Sequence, residues 1–279
     1  MRRFAVLGNP VAHSRSPDIH RAFAAQHGIE IDYQRIEVAL DNFPGTVRHF
    51  FNDDEGIGLN VTVPFKAQAF EMARYPSERA KRAGAANTLW MAHGHLHADN
   101  TDGLGLVHDL RRNLGWQLHG KRVLILGAGG AVRGVLDPLL AETPADITIA
   151  NRTVAKAEEL AEQFSDRGIA VYGTGMDTLR GPFDIIINAI SAGLAGDMPA
   201  LPDGLIGADT VCYDMVYGNP AEKSGTPFLA WAETHGATEW ADGIGMLVEQ
   251  AAESFYLWMN WRPDSKAVIR ALRHPSAGD

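Results

Sequence analysis

The chain has 279 residues, 46% hydrophobic and 21% charged, a length and balance that suit two globular cores and exclude a disordered or low-complexity protein. Its net charge of −9 argues against a general nucleic-acid binder, because no cluster of lysine and arginine offsets it. Apolar runs such as FDIIINAI break well short of membrane-spanning length, so no membrane role is expected, and the start MRRFAVLGNP is too short an apolar run for a signal peptide. The single cysteine, Cys212, excludes an internal disulfide, fits a reducing cytoplasm and, inside TVCYDMVY, reads as a core residue.

In chain order, FAVLG reads as a buried strand. Ser16 and Pro17 suit an N-cap and first helical residue, predicting a helix from Asp18 to a stop at Gly28. GLNVTVP is a strand in which Val61 and Val63 alternate with Asn60 and Thr62 until Pro64 removes a ladder donor; Lys66 follows that stop. KAQAFEMA and SERAKRAG read as helices, the second opened by Ser77 and ended at Gly84. ANTLWMAHGHLHADN reads as two strands joined around Gly94, and TDGLGLVHDLRRNLG as a helix connecting two domains. From Lys121 a second series alternates strand and helix: KRVLILG, GAVRGVLDPLLAE, DITIAN, TVAKAEELAEQF, IAVYG, FDIIINAI and TVCYDMVY. Its apolar, weakly alternating strands predict a parallel sheet covered on both faces. After WADGIG, a long helix, MLVEQAAESFYLWMNW, is expected to return to the first domain.

The turn after KRVLILG carries Gly127, Gly129 and Gly130 between strand and helix, a geometry that lets backbone approach a pyrophosphate at a helix N-terminus. The third glycine of the dinucleotide fingerprint falls on Val132, so the match is partial, and a ligand-free tight turn is the competing reading. The next strand ends without the acidic residue that grips a ribose 2′-hydroxyl. Arg152 and Thr153 stand there instead, with Lys156 near, and a guanidinium suits a 2′-phosphate, which favours NADP. Thr153 as a simple helix cap is compatible with both.

Elsewhere, Ser14, Ser16, Asn60, Thr62, Lys66, Asn87, Thr88, Thr101 and Asp102 together offer the hydroxyls, amides, amine and carboxylate that a sugar-like acid requires, although Ser16, Thr101 and Asp102 each have capping explanations. His93, His95 and His97 alternate and invite a metal reading, but they flank a glycine turn with no completing ligand, so no metal is expected. His13 lies near the serines without an assigned role. Neither a nucleophile elbow nor a P-loop is present.

The strings NP-AHS-SP-IH, NVTVPFK, GA-NT, DNTDG-G, GAGGA-RG, NRT, YDM-Y, TPFL and ADG-GML--QA, in order over essentially the whole chain, resemble the NADP-linked shikimate dehydrogenases of the aromatic (chorismate) pathway. The resemblance implies an α/β fold in three stretches: a substrate-binding and catalytic domain over 1–101, a Rossmann-type doubly wound NADP domain over 102–240, and C-terminal helices over 241–279 packing back on the first. It implies reversible reduction of 3-dehydroshikimate to shikimate, with Lys66 and Asp102 as the catalytic pair. Substrate contacts would come from Ser14, Ser16, Thr62, Asn87, Tyr217 and Gln250, with Asn60 near the site. The cofactor would lie on Gly127, Ala128, Gly129, Gly130 and Ala131 and on Asn151, Arg152 and Thr153, with Met215 and Gly243 near the nicotinamide and Glu78 near the cofactor.

The chain departs from the family at Ile190 in NAISAG, where a small polar residue is usual, and in a longer loop within YGNPAEKSGTPFL. Two other functions compete: a quinate/shikimate dehydrogenase preferring NAD, and a non-catalytic dinucleotide sensor, which would have lost Lys66 or Asp102. Oligomeric state stays open between monomer and homodimer.

Overall fold

A computed structural model of the chain describes residues 1–190, 199–218 and 225–274. It forms two compact units, one comprising Met1–Gly105 with the chain from Leu247 onward, the other Leu106–Met246.

The first unit opens with β1 (Arg2–Gly8), α1 (Ser16–Ala25), β2 (Ile31–Glu37), α2 (Phe43–Asn52), β3 (Gly58–Val61) and α3 (Lys66–Met72). It continues with β4 (Tyr75–Pro76), α4 (Glu78–Ala83), β5 (Thr88–Ala92) and β6 (His95–Asp99). Its six strands lie in the order β2-β1-β3-β5-β6-β4. The sheet is mixed: β1 runs parallel to β2 and β3, while β5 is antiparallel to both β3 and β6. The β5–β6 hairpin turns at His93 and Gly94, whose φ values of 51° and 75° are the left-handed conformations a two-residue hairpin needs.

Period-two alternation sorts the sheet's side chains. Ala5, Leu7, Leu59, Val61, Leu89 and Ala98 pack against Phe43, Val47, Phe50, Phe65 and Ala69 of α2, α3 and the turn before it. Each fully buried ring or branched side chain there contributes about 1.5–3 kcal/mol. On the opposite face Phe4 lies 5.1 Å from Trp258 and 6.4 Å from Tyr33, ring centroid to centroid.

The chain leaves this unit through α5 (Asp102–His108), which runs on into a π-helical turn over Asp109–Asn113 before Gly115. The second unit contains β7 (Arg122–Leu126), α6 (Gly130–Ala141), β8 (Asp146–Ala150), α7 (Val154–Gln163), β9 (Ala170–Thr174), β10 (Phe183–Asn188), β11 (Ile206–Asp214), α8 (Pro227–Thr234) and β12 (Glu239–Ala241). The strands are all parallel, in the order β12-β11-β10-β7-β8-β9. Val123, Ile125, Ile147, Ile149, Ile185 and Ile187 face one apolar layer with α6 and α7; Leu124, Leu126, Ile186 and Cys212 face another with Phe228 and Leu229 of α8. Both faces are covered, which is why these strands read as unbroken apolar runs. Cys212 is a core thiol, and burial pushes its pKa up to about 12. The last helices are α9 (Ile244–Met259) and α10 (Ser265–Arg273); Leu247 onward in α9, and all the described residues of α10, belong to the first unit.

Two local expectations change. Helix α1 begins at Ser16, with Arg15 at the cap position, so Ser16 is not the N-cap. Strand β3 stops at Val61, and Thr62 to Phe65 form a turn, so the alternation does not continue: Val63 is 66% exposed and Thr62 no longer shares a strand face with Asn60. Helix α6 runs on through Pro138, as the sequence predicts.

Candidate functional site

Lys66 is the first residue of α3, delivered there by the turn that follows β3. Asp102 is the first residue of α5, where the helix dipole favours a carboxylate. Lys66 Nζ donates to Asp102 Oδ2 at 2.6 Å. The pair is unequal in exposure, the lysine side chain at 29% and the aspartate at 10%.

The turn before Asp102 is tightly held. Asp99, buried, accepts from the Ser77 hydroxyl, the Arg79 guanidinium and the Asn100 amide N–H. Asn100 donates to the Ala85 carbonyl and accepts from the Asp102 N–H at 3.2 Å. Bonds to charged groups are worth about 1.5–3 kcal/mol each, enough to hold this corner in one geometry. No local sequence signal assigns Ser77, Arg79, Asp99 or Asn100 to the site.

Asn87 is the hub. Its Oδ1 accepts from the Thr101 N–H at 2.9 Å, which fixes the amide's orientation because a backbone N–H only donates. Its Nδ2, with two protons, faces three acceptors: Asp102 Oδ1 at 2.8 Å, Thr101 Oγ1 at 2.9 Å and Gln250 Oε1 at 3.1 Å. Gln250, on α9, donates in turn to the Leu247 carbonyl. Ser14 Oγ donates to Ser16 Oγ at 3.1 Å; Ser16 has no capping bond, so the capping explanation for it fails. Arg35 anchors the same loop through the Ser14 carbonyl. His13 is exposed.

Asn60 differs from its expected role. It is 6% exposed, its Oδ1 accepts from Tyr33 Oη at 2.7 Å, and its Nδ2 faces the Asn87 carbonyl and Ser254 Oγ, both at 3.1 Å. The amide is occupied by protein and supports the site from beneath. Ser254, fully buried one helical turn after Gln250, was not foreseen; its only signal was the i+4 spacing on one face of α9.

The histidines part company. His93 lies in the hairpin turn, and His97 stacks on Trp90 at 5.4 Å. Among the described residues no group of three His, Cys, Asp or Glu side chains is placed to hold a metal.

In the second unit the β7–α6 turn has the form a dinucleotide pyrophosphate requires. Gly127 has φ 109°, and a Cβ there would sit 3.3 Å from the Ala189 carbonyl oxygen, so only glycine fits without strain. A Cβ at Gly129 or Gly130 would meet nothing within 4 Å, and the N-terminus of α6 has no side-chain cap, leaving its N–H groups open. Ala128 and Ala131 complete this turn. The residues therefore fit the group. Asn151 Nδ2 donates to the Thr153 carbonyl at 2.9 Å, tying the turn after β8. Thr153 occupies the N-cap of α7 but makes no capping bond, while Arg152 and Lys156, both exposed, make no ion pair among the described residues. Ile190 packs into the apolar layer beside α8 and lies next to Gly127.

Met215 follows β11, and its neighbour Val216 accepts from the Gly243 N–H at 3.3 Å. That corner hangs on buried Asp214, which accepts from Asn188, the Val216 N–H and Thr226, and whose pKa burial raises. Tyr217 lies just beyond, partly buried. The loop expected to be long continues into 219–224, outside the described residues. Glu78 stands exposed in the first turn of α4, paired with Lys81 at 2.6 Å, whose hydrogen bond and charge lower its pKa. No helix among the described residues is long and apolar enough to cross a membrane.

Residues 6–89 match the family profile of the shikimate dehydrogenase substrate binding domain, 109–195 that of shikimate / quinate 5-dehydrogenase, and 243–273 that of the shikimate 5'-dehydrogenase C-terminal domain. A shikimate dehydrogenase (NADP(+)) of Alcanivorax borkumensis is 57% identical over 271 residues, covering 97% of this chain and 96% of that one. The solved structure of an Ael1 enzyme from Pseudomonas putida superposes with a TM-score of 0.90 at 45% identity, covering 99% of each chain. Shikimate 5-dehydrogenase from Thermus thermophilus, solved in complex with NADP(H) and shikimate, superposes with a TM-score of 0.85 at 32% identity, covering 98% of this chain and 99% of that one. On three matching profiles and this full-length identity, the chain belongs to the shikimate dehydrogenase family.

Proposed function

We propose that this chain catalyses the reversible, NADP-linked reduction of 3-dehydroshikimate to shikimate, an oxidoreductase step in aromatic amino-acid (chorismate) biosynthesis. Its setting is the cytoplasm, its partners are small molecules, and it acts as a monomer or homodimer. The observation that carries the reading is the Lys66–Asp102 pair at 2.6 Å, with Asp102 held by Asn87 in a buried network.

NADP, when bound, supplies or takes up the hydride at the carbinol carbon. Everything else falls to the chain. In the oxidation direction the Lys66 amine takes the proton from the reacting hydroxyl as the carbon–oxygen double bond forms. In the reduction direction the ammonium returns that proton to the oxygen, which becomes the shikimate hydroxyl. Asp102 orients both the amine and the hydroxyl. Ser14, Ser16 and Thr62 offer hydroxyls, Asn87 and Gln250 amides, and Tyr217 keeps the contact the resemblance implies. The β7–α6 turn takes the pyrophosphate, and Arg152, Thr153 and Lys156 the 2′-phosphate.

The test compares kcat/KM for shikimate and quinate with NADP and NAD, following reduced nicotinamide spectrophotometrically. The reading requires shikimate with NADP to be the best pair. A preference for quinate with NAD would replace it by the quinate/shikimate branch, and binding of NADP without any turnover would leave a dinucleotide sensor.

A further inference from the structure

In the first unit a directed chain of hydrogen bonds ends on Asp102. Asn60 cannot be flipped, because its Nδ2 faces the Asn87 carbonyl, an obligate acceptor, at 3.1 Å. Its Oδ1 must therefore accept from Tyr33 Oη, at 2.7 Å. Asn87 is likewise fixed by the Thr101 N–H at its Oδ1, so Thr88 Oγ1, 2.9 Å from the same oxygen, donates to it. With the Thr88 proton so used, the single Ser254 proton is shared between Thr88 Oγ1 at 2.7 Å and the Gln250 backbone carbonyl at 3.1 Å, while Ser254 Oγ accepts from Asn60 Nδ2 at 3.1 Å and lies 3.3 Å from Thr101 Oγ1. The sequence is then Tyr33 to Asn60 to Ser254 to Thr88 to Asn87 to Asp102 Oδ1, every member donating onward.

The chain is dry. Thr88 and Ser254 have no exposed surface, and Tyr33 is sealed between Phe4 and His20, whose ring stacks on it at 4.6 Å. Chains of aligned hydrogen bonds in a low dielectric polarise one another, so the phenol's dipole at one end strengthens the amide donor at the other.

From this we infer that Ser254 is a positioning residue for the reaction: it closes the relay through which the buried Tyr33–Asn60 pair fixes the Asn87 amide, and so the carboxylate of Asp102. It touches neither substrate nor cofactor. The inference rests on the reading of Lys66 and Asp102 as the proton-handling pair.

The test is Ser254→Ala, with Tyr33→Phe as a second variant that breaks the first link and keeps the ring. Each is expected to lower kcat with shikimate by about two- to tenfold, the worth of one hydrogen bond, with KM for NADP unchanged. Because Ser254 acts through Asn87, Ser254→Ala added to Asn87→Ala should lower kcat no further. A crystal structure of Ser254→Ala reads the same point without turnover: the Asn87 amide or the Asp102 carboxylate is expected to rotate. Additive losses in the double variant, an unchanged kcat, or an unmoved Asn87–Asp102 contact would each overturn the role of Ser254. Absence of any shikimate oxidation by the unmodified protein would overturn the reaction assignment instead, leaving the crystallographic result to judge the relay.

Discussion

The two oxygens of Asp102 are held from opposite sides, Oδ2 by the Lys66 ammonium at 2.6 Å and Oδ1 by the Asn87 amide at 2.8 Å. The carboxylate is thus immobilised, while Lys66, 29% exposed, keeps a face open for a reacting hydroxyl. Positioned general acid–base catalysis is worth about 10²–10⁴-fold. Lys66→Ala should therefore lower kcat by roughly that factor while KM for shikimate and NADP binding change far less. A raised KM with kcat preserved would show that Lys66 only attracts the substrate carboxylate.

Arg152 is exposed and has no ion-pair partner among the described residues, so its guanidinium is available to an incoming phosphate. A hydrogen bond to a charged group is worth about 1.5–3 kcal/mol. Arg152→Ala should weaken NADP by roughly ten- to a hundredfold, by the same arithmetic, and leave NAD use nearly unchanged. Equal losses for both cofactors, measured by fluorescence titration, would remove the 2′-phosphate role.

Gly127 and Gly129 should respond differently to the same change. Gly127→Ala forces a side chain into φ 109° against the Ala189 carbonyl and should lower the melting temperature. Gly129→Ala adds a methyl to open space at an extended backbone, so folding should be preserved while affinity for NADP falls. A Gly129→Ala protein that binds NADP normally would place the pyrophosphate elsewhere.

Gln250→Ala removes one acceptor of the Asn87 amide, which retains Thr101 and Asp102, so the stability cost should stay near 1 kcal/mol. Shikimate turnover should fall well beyond that equivalent. A large drop in melting temperature with normal kinetics would make Gln250 a purely structural amide.

His20 ties stability to pH. It is fully buried among Tyr33, Phe23, Phe255 and Trp258, and its ring nitrogens have no hydrogen-bond partner among the described residues. Burial lowers its pKa to about 3, the nearby Asn60 amide opposing this by less and without hydrogen-bonding geometry. Above pH 6.5 the ring is neutral folded or unfolded; as pH falls from there toward 3 only the unfolded chain takes up the proton, and stability is lost. The slope is about 1.4 kcal/mol per pH unit, or roughly 2 kcal/mol between pH 7 and pH 5. The pH 7-to-5 fall in melting temperature should be smaller in His20→Phe by several degrees; an identical fall in both proteins would show that the ring charges without cost.

Much of this protein is legible in its sequence. Strand–GAGG–helix, followed by another βα unit ending in Asn-Arg-Thr, identifies the nucleotide half from local rules, because turn chemistry and period depend on near neighbours. NVTVPFK marked Lys66 for the same reason: proline punctuation is local. Local rules misjudged Ser16, whose cap position passed to Arg15, and Asn60, whose alternation with Thr62 stops when β3 ends at Val61. What only the tertiary structure decided is which partners the polar groups take. Asn60 meets Ser254 across 194 positions, and Asn87 meets Gln250 across 163. No periodicity encodes such pairs; they exist because α9 packs on the sheet of the first unit, where a buried amide must find its acceptor wherever the fold places one.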